Sequence, residues 1–187
     1  MESAAGISAL LKADPLRWHL MGVVASLDLP DCWIAAGFVR NAVWDHLHRR
    51  APSVMSGDID VIWFDRDRCD AQYDRQLEAR LRRLEPSAHI VWSVKNQARM
   101  HARNGDAPYE SATDAMRYWP ETATAIGARR LAAGDCEIAA PLGLDDLLGL
   151  ILRPTQGFRE RKRAIYNERL RAKAWRAHWP LLTMIDA

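Results

Sequence analysis

The sequence predicts an α+β fold in which a mixed sheet is flanked by helices. Three short apolar runs, at 32–36, 58–64 and 89–96, have the length of strands, and stretches with helical spacing lie between them. Strands and helices do not alternate in a steady β–α–β rhythm, which disfavours a doubly wound parallel sheet. The 187 residues are 49% hydrophobic and 27% charged, which predicts one globular domain, residues 1–187, with its core at about 30–140.

Local signals predict the remaining elements. Asp14 and Pro15 are typical of the cap and first residue of a helix, and further helices are expected after Gly37 and within 69–85. Weaker patterns predict strands within 122–129 and 136–141 and a capped apolar helix at 143–154. Helical additions are expected at both the N- and the C-terminus, and the C-terminal one is a basic helix at about 158–178. Four tryptophans in apolar runs are expected to serve packing: Trp33, Trp44, Trp63 and Trp92. Trp175 and Trp179 could pack the C-terminal helix onto the sheet or stack on bases, and packing is the favoured interpretation.

The cysteines and the hydropathy pattern bear on location. Cys32, Cys69 and Cys136 are far apart, form no metal-binding pair, and would leave one thiol over in any disulfide scheme, which favours a reducing compartment. The N-terminus lacks the pattern of a signal peptide, and no window approaches the roughly 20 apolar residues of a membrane span. We therefore expect a cytoplasmic protein without a membrane partner.

The charge of the chain is uneven. The net charge is +2, but residues 153–176 hold nine Lys and Arg against two Glu, so this segment carries +7 and the rest −5. A basic segment can attract phosphates or nucleic acid. The alternative is a solvated helix face, which such patterns more often indicate.

Two aspartates interrupt the apolar run at 58–64. Side chains at i and i+2 of a strand point to the same face, so Asp58 and Asp60 stand side by side while Ile59 and Val61 turn inward. Two neighbouring carboxylates repel each other, and Mg²⁺ commonly binds one or two carboxylates together with phosphates and water. The pair therefore indicates a metal site; the alternative is a strand end that faces solvent.

The segment that precedes this strand can bind phosphate. Gly37 lies where a short strand turns into a helix, so a ligand could approach its backbone closely. The first turn of a helix offers unpaired N–H groups and the positive end of the dipole, and Arg40 in that turn could fork onto a phosphate.

Strand, Gly, helix, loop and Asp-x-Asp strand, in this order, resemble the DNA polymerase beta-type nucleotidyltransferase superfamily. The segment "AGFVRN", with "GDIDVIWF" as its Asp-x-Asp strand, is also similar to tRNA CCA-adding enzymes and poly(A) polymerases. Nearly the whole chain resembles a family of bacterial nucleotidyltransferase-like proteins. That likeness rests on "WIAAGFVRNAVWDHLH", "DIDV", "WSVKNQARMH", "PETATAIGAR", "APLGLDDL", "LRPTQGF" and the series Tyr166, Arg169, Lys173, Trp175 and Trp179.

The resemblance implies a polymerase-beta-like core and a metal-dependent reaction. A nucleoside monophosphate would pass from a nucleoside triphosphate to an unknown acceptor: a small molecule, an RNA or a protein. Asp58 and Asp60 would be the catalytic residues and the ligands of Mg²⁺ or Mn²⁺. The nucleotide-binding residues would be Gly37, Phe38, Arg40, Lys95 and Asn96. The sequence does not indicate an oligomeric state.

The chain departs from the pattern at three points. Ala36 stands in place of the first Gly of the CCA-type pair, and Asn41 replaces an Asp. Members of the superfamily usually carry a third acid on a later strand, yet the run at 89–96 contains none. Either another acid supplies it (Glu85, Asp106 and Asp146 are candidates), or the acceptor brings its own base, or the protein is a catalytically silent nucleotide-binding or RNA-interaction module.

Overall fold

The computed structural model describes residues 3–53, 55 and 57–185; Val54 and Ser56, in the loop before the Asp-x-Asp strand, lie outside this part. Its helices are α1 Ala4–Ala13, α2 Pro15–Ala25, α3 Gly37–Leu47, α4 Ala71–Leu84, α5 Gln97–Asn104, α6 Ala112–Met116, α7 Asp145–Leu148, α8 Gln156–Arg159, α9 Arg163–Lys173 and α10 Trp175–His178. Its strands are β1 Trp33–Ala35, β2 Asp58–Trp63, β3 Val91–Asn96, β4 Gly127–Arg130, β5 Cys136–Ala139, β6 Ile151–Leu152 and β7 Thr183–Met184.

The five-stranded sheet is mixed and has the order β3-β2-β1-β4-β5. β2 and β3 are parallel and are joined through α4, whereas the other neighbouring strands are antiparallel. At the centre Ala35 lies between Asp60 of β2 and Gly127 of β4, and Asp60 lies opposite Ser93 of β3. The prediction of a mixed sheet flanked by helices is confirmed.

Strand β2 separates the main core from the face that carries the aspartates. Ile59, Val61 and Trp63 are at most 2% exposed and belong to the main core, to which α1, α2, α3 and α4 contribute. Asp58 and Asp60 alternate with them and point to the other face. A smaller apolar cluster covers part of that face, so the aspartates lie at the margin of a covered surface.

Tryptophans hold the C-terminal segment against α3. The ring of Trp44, which is fully buried, meets Trp175 edge-on at 6.3 Å and Trp179 at 5.2 Å. The indole N–H of Trp179 donates to Asp45 at 2.9 Å. The packing role predicted for the tryptophans is confirmed, because the others, Trp33, Trp63 and Trp92, are also buried.

The helix predicted at 143–154 is wrong in extent. Only α7 forms, and the chain then enters β6, which pairs with β7. Leu150 has a φ of +55°, and a right-handed helix cannot continue through that left-handed conformation. Pairing with a strand near the C-terminus, which no local pattern announces, replaces the last turns of the expected helix.

The basic helix predicted at 158–178 is broken into α8, α9 and α10. Ala174 has a φ of +44° and ends α9. The break turns Trp175 inward, where only 6% of it stays exposed. Burial of this large aromatic side chain stabilises the fold more than one further turn of helix would.

Within the described ranges no helix combines the length and the apolar character that crossing a bilayer requires. The extent of the single domain and of its core stays a prediction.

Candidate functional site

A cleft of about 230 Å³ opens on the sheet face that carries the aspartates. Ala36, which directly precedes α3, lies in its wall, so the aspartate strand and the helix start share one cleft. Asp58 is exposed, whereas Asp60 is partly buried. The polar side chains that line the cleft include Asp60, Ser93, Lys95, Gln97, Thr124 and Arg169.

Asp60 has an environment that opposes its negative charge. Burial raises the pKa of its carboxyl group, and the neighbouring Asp58 raises it further. Arg169, Arg40 and Lys173 act in the opposite direction without cancelling the effect. The cleft is therefore a place where an added cation would be stabilised.

The backbone at the start of α3 takes an unusual conformation. Ala36 has φ +55° and ψ −123°, a region that favours glycine, and its N–H donates to the carbonyl of Ile126 at 2.9 Å. The N–H groups of Gly37 and Phe38 have no acceptor among the described residues. They are the donors that a helix start offers to an anion.

The glycine itself is not required by packing. A Cβ added to Gly37 would lie 3.5 Å from Nη2 of Arg40, which is an ordinary contact. The conformation that favours glycine falls one residue earlier, at Ala36, where the CCA-type pattern has its first glycine.

Arg40 lies inside the protein, behind the cleft. Its guanidinium stacks 4.9 Å from the rings of both Trp44 and Trp175, and it donates to Thr124 Oγ1 at 2.8 Å. Burial lowers the pKa of Arg40 to about 10, against the attraction of Glu121, so it stays charged at neutral pH. Its charge acts on the cleft from within the wall. The side chain of Phe38 is buried in the main core, so only its backbone faces the helix start.

Lys95 and Asn96 differ in their surroundings. Lys95 lines the cleft, but its Nζ donates to Glu78 of α4 at 2.8 Å. Asn96 is fully buried; its side chain caps α5 and bonds the backbone of Asp65 and of Arg68, both in the loop after β2. Asn96 therefore fixes the loop that follows the aspartate strand.

Two residues that sequence reasoning did not select form an ion pair at the site. Glu121 is fully buried, and Nε of Arg169 donates to its Oε1 at 2.6 Å. Arg169 also lines the cleft, which brings α9 to the aspartates. Both residues lie in motifs that carry the family resemblance. Their pairing was not visible because 48 residues separate them.

None of the three acids considered for a third carboxylate lines the cleft, and none bonds to a residue that lines it. Glu85 accepts from His19 and Ser87. Asp106 pairs with Lys162 and Asp146 with Arg153. In the described part of the chain no cluster of three or more His, Cys, Asp or Glu side chains could hold a metal. Among the residues that the structure describes, the aspartate pair thus stands without a third carboxylate.

A family model described as "Nucleotidyltransferase" matches residues 22–184. An NMR structure described as revealing a CCA-adding enzyme head domain is also similar, with 34% sequence identity and a TM-score of 0.86. The likeness covers 100% of this chain and 98% of that one. Among curated proteins, none matches the chain significantly.

Replacing Ala36 with glycine is expected to stabilise the fold by about 1 kcal/mol, because strain at positive φ exceeds the entropic cost of glycine. For a chain of this size that raises Tm by about 2–4 °C. Calorimetry measures the shift. The matched control is Ala35→Gly in β1, where φ is not positive, and this variant should lose stability. An Ala36→Gly variant with a lower Tm than the wild type would show that the backbone at Ala36 is not strained.

Replacing Asp60 with asparagine is expected to stabilise the metal-free protein by an amount on the order of 1 kcal/mol at neutral pH. The folded-state pKa of Asp60 is raised, so the wild type is most stable when this carboxyl is protonated and loses that stability as the pH rises through its pKa. A variant with the neutral asparagine does not lose stability in this way.

Urea unfolding at neutral pH and below the ordinary aspartate pKa of about 4 tests this, with the exposed Asp67→Asn as control. The advantage of Asp60→Asn should vanish at the lower pH. An equal difference at both pH values would rule out the electrostatic cause.

Proposed function

This chain belongs to the nucleotidyltransferase family, and we propose that it transfers a nucleoside monophosphate from a nucleoside triphosphate to an acceptor, with Mg²⁺ or Mn²⁺ as its cofactor. One observation carries the proposal: Asp60, Arg169 and Ala36, the residue directly before the unpaired N–H groups of α3, line one cleft. Carboxylates suit the metal, whereas amides and a guanidinium suit phosphate. The similarity to a CCA-adding enzyme head domain supports the nucleotide as substrate.

The donor set fits a hard divalent cation. Asp58 and Asp60 offer oxygen ligands from one strand face. Burial, and then the charge of Asp58, raise the pKa of Asp60, so a bound cation would stabilise its carboxylate. Mg²⁺ is commonly held by one or two carboxylates together with phosphates and water. When bound, the metal would neutralise the triphosphate and stabilise charge on the leaving group.

The phosphates are proposed to lie between the helix start and Arg169. Gly37 and Phe38 contribute backbone N–H groups, and the dipole of the 11-residue helix α3 favours an anion there. Arg169 is held by Glu121, so its remaining N–H groups are fixed before the ligand arrives. Lys95 adds a cation at the β3 side of the cleft.

Two predicted residues are proposed to act through others. Arg40 attracts Asp60 and Glu121 from within the wall, and it acts against the rise in the pKa of Asp60. Asn96 holds the loop after β2 through Asp65 and Arg68, which fixes the end of the aspartate strand. Both are positioning residues for the aspartates and for Arg169.

In the proposed reaction an oxygen of the acceptor attacks the α-phosphorus. A P–O bond to the acceptor forms, the bond to the pyrophosphate oxygen breaks, and pyrophosphate leaves with the electron pair. Among the described residues Asp60 is the one carboxylate that lines the cleft. The acceptor proton therefore passes to solvent at the open mouth.

A silent nucleotide-binding module is the second candidate. The observation that favours it is the lack of a third carboxylate within the described residues. It shares the nucleotide-binding step with the enzyme and differs in the release of pyrophosphate.

Asp58→Asn and Asp60→Asn are each expected to abolish the rise in Tm that a nucleoside triphosphate produces with Mg²⁺, because they remove metal ligands. Pyrophosphate release should fall about a hundredfold or more. Thermal shift with each nucleotide, with and without Mg²⁺, measures binding. A coupled pyrophosphate assay with small-molecule, RNA and protein acceptors measures turnover.

Asp67→Asn, in the loop after β2, is the control and should behave as the wild type. Undiminished Mg²⁺–nucleotide affinity in both aspartate variants would refute the site. Binding without release over the whole acceptor panel would favour the silent module.

Arg169→Lys is expected to weaken Mg²⁺–nucleotide binding about tenfold, because lysine keeps the charge beside Glu121 but loses the fork that reaches two partners. Titration calorimetry measures the affinity. Arg171→Lys, on the exposed side of α9, is the matched control. Equal affinities of the two variants for the Mg²⁺–nucleotide would show that Arg169 does not bind the phosphates.

A further inference from the structure

A second cleft, of about 580 Å³, lies beside the first. Its walls come from the end of α6, the "LRPTQGF" segment, α8 and the residues just after it. That volume falls within the roughly 300–1,000 Å³ of small-molecule sites and is more than twice the 230 Å³ of the aspartate cleft. We name this feature the second cleft.

The two clefts share a wall. Trp119 and Pro120 line the aspartate cleft, while Tyr118 lines the second one. The hydroxyl of Thr155 donates to the carbonyl of Trp119 at 2.6 Å, and its N–H donates to the carbonyl of Pro120 at 3.0 Å. The "LRPTQGF" motif, to which the aspartate site assigns no role, thus holds the wall in place.

A chain of hydrogen bonds also connects one cleft to the other. Asn104 lines the aspartate cleft and donates to the hydroxyl of Tyr109 at 3.2 Å. That hydroxyl donates to Asp106 at 2.7 Å, and Asp106 accepts from Lys162 in the second cleft at 2.7 Å. The Asp106 side chain is 2% exposed, so its carboxylate holds Lys162 in a fixed position at this end of the second cleft.

The second cleft carries an excess of positive charge. Four basic side chains line it against two acidic ones, and Asp106 already neutralises Lys162. Within the described residues Arg117 and Arg161 have no ion-pair partner, and Arg159 donates only to a backbone carbonyl, at 3.3 Å. Guanidinium groups recognise phosphate through paired N–H donors.

We propose that the second cleft binds the acceptor, and that the acceptor is a small organic molecule that carries a phosphate group. Arg117, Arg159 and Arg161 hold the phosphate, and the apolar surface of Tyr118 and Phe158 contacts the organic part. The reacting hydroxyl reaches over the shared wall towards Asp60. This inference rests on the proposed function, because it names the substrate class of the same reaction.

The compact size of the second cleft favours a small molecule over a polynucleotide. A strand of nucleic acid is followed by an extended basic groove with stacking platforms, whereas the three arginines here surround one cavity. The experiment must therefore distinguish a small phosphorylated ligand from an RNA.

The test is a titration of the full chain with glycerol 3-phosphate, followed in the amide NMR spectrum at about 0.15 M ionic strength, where long-range charge effects are screened. Saturable shifts are expected at Tyr118 and Gly157 in the second cleft. Arg117→Gln combined with Arg161→Gln should raise Kd about tenfold or more. Arg171→Gln, on α9, should not, and unphosphorylated glycerol should produce no shifts.

Three results would overturn the proposal: shifts at Ser93 and Gln97 instead of the second cleft, equal Kd values for the double variant and the Arg171→Gln control, or an RNA oligonucleotide that binds the second cleft more tightly than glycerol 3-phosphate. Asp60→Asn separates this inference from the proposed function. It should keep glycerol 3-phosphate binding even if no nucleotide binds the aspartate cleft.

Discussion

The ion pair between the buried Glu121 and the partly exposed Arg169 is the constraint on which the cleft depends. Glu121 is fully buried, so its charge is tolerable only because Arg169 forks onto it and Arg40 lies nearby. Without Arg169 the carboxylate of Glu121 would be left buried with only Arg40 nearby, which is strongly unfavourable. The pair joins α9 to the segment before β4. The C-terminal helix, which is remote in sequence, is thereby made a wall of the aspartate cleft.

Around this pair the charges are arranged in two layers. Glu121 and Arg40 form an inner layer that solvent does not reach, and Asp60 and Arg169 form an outer layer that faces the cleft. Burial opposes the charge of Asp60 more than the surrounding cations support it, so its pKa remains raised. The inner layer therefore positions the outer one, and the carboxylate of Asp60 remains a group that a bound cation would stabilise.

The sequence predicted what depends on local pattern. The alternation of side chains along a strand predicted that Asp58 and Asp60 share one face of β2, and the turn at Gly37 predicted that α3 follows β1. It did not predict that Arg40 turns inward between two tryptophans, because the second of them comes from α10, far along the chain. The pairing of Glu121 with Arg169 was hidden for the same reason. The breaks of the C-terminal helices were missed because Leu150 and Ala174 adopt left-handed conformations that their side chains do not indicate. The roles of the site residues stay predictions.

Ala36 shows that the geometry at the cleft is imposed by the surrounding structure rather than by the residue at the turn. A positive φ disfavours alanine, yet the chain keeps it because two strong constraints meet there. The N–H of Ala36 continues the pairing of β1 towards β4 by donating to Ile126, while the next residue already belongs to α3. A relaxed backbone would break one of these and would move the helix start away from Asp60. Strain of this kind persists where neighbouring elements over-determine the backbone, and at this turn they hold the N–H groups of α3 beside the carboxylate of β2.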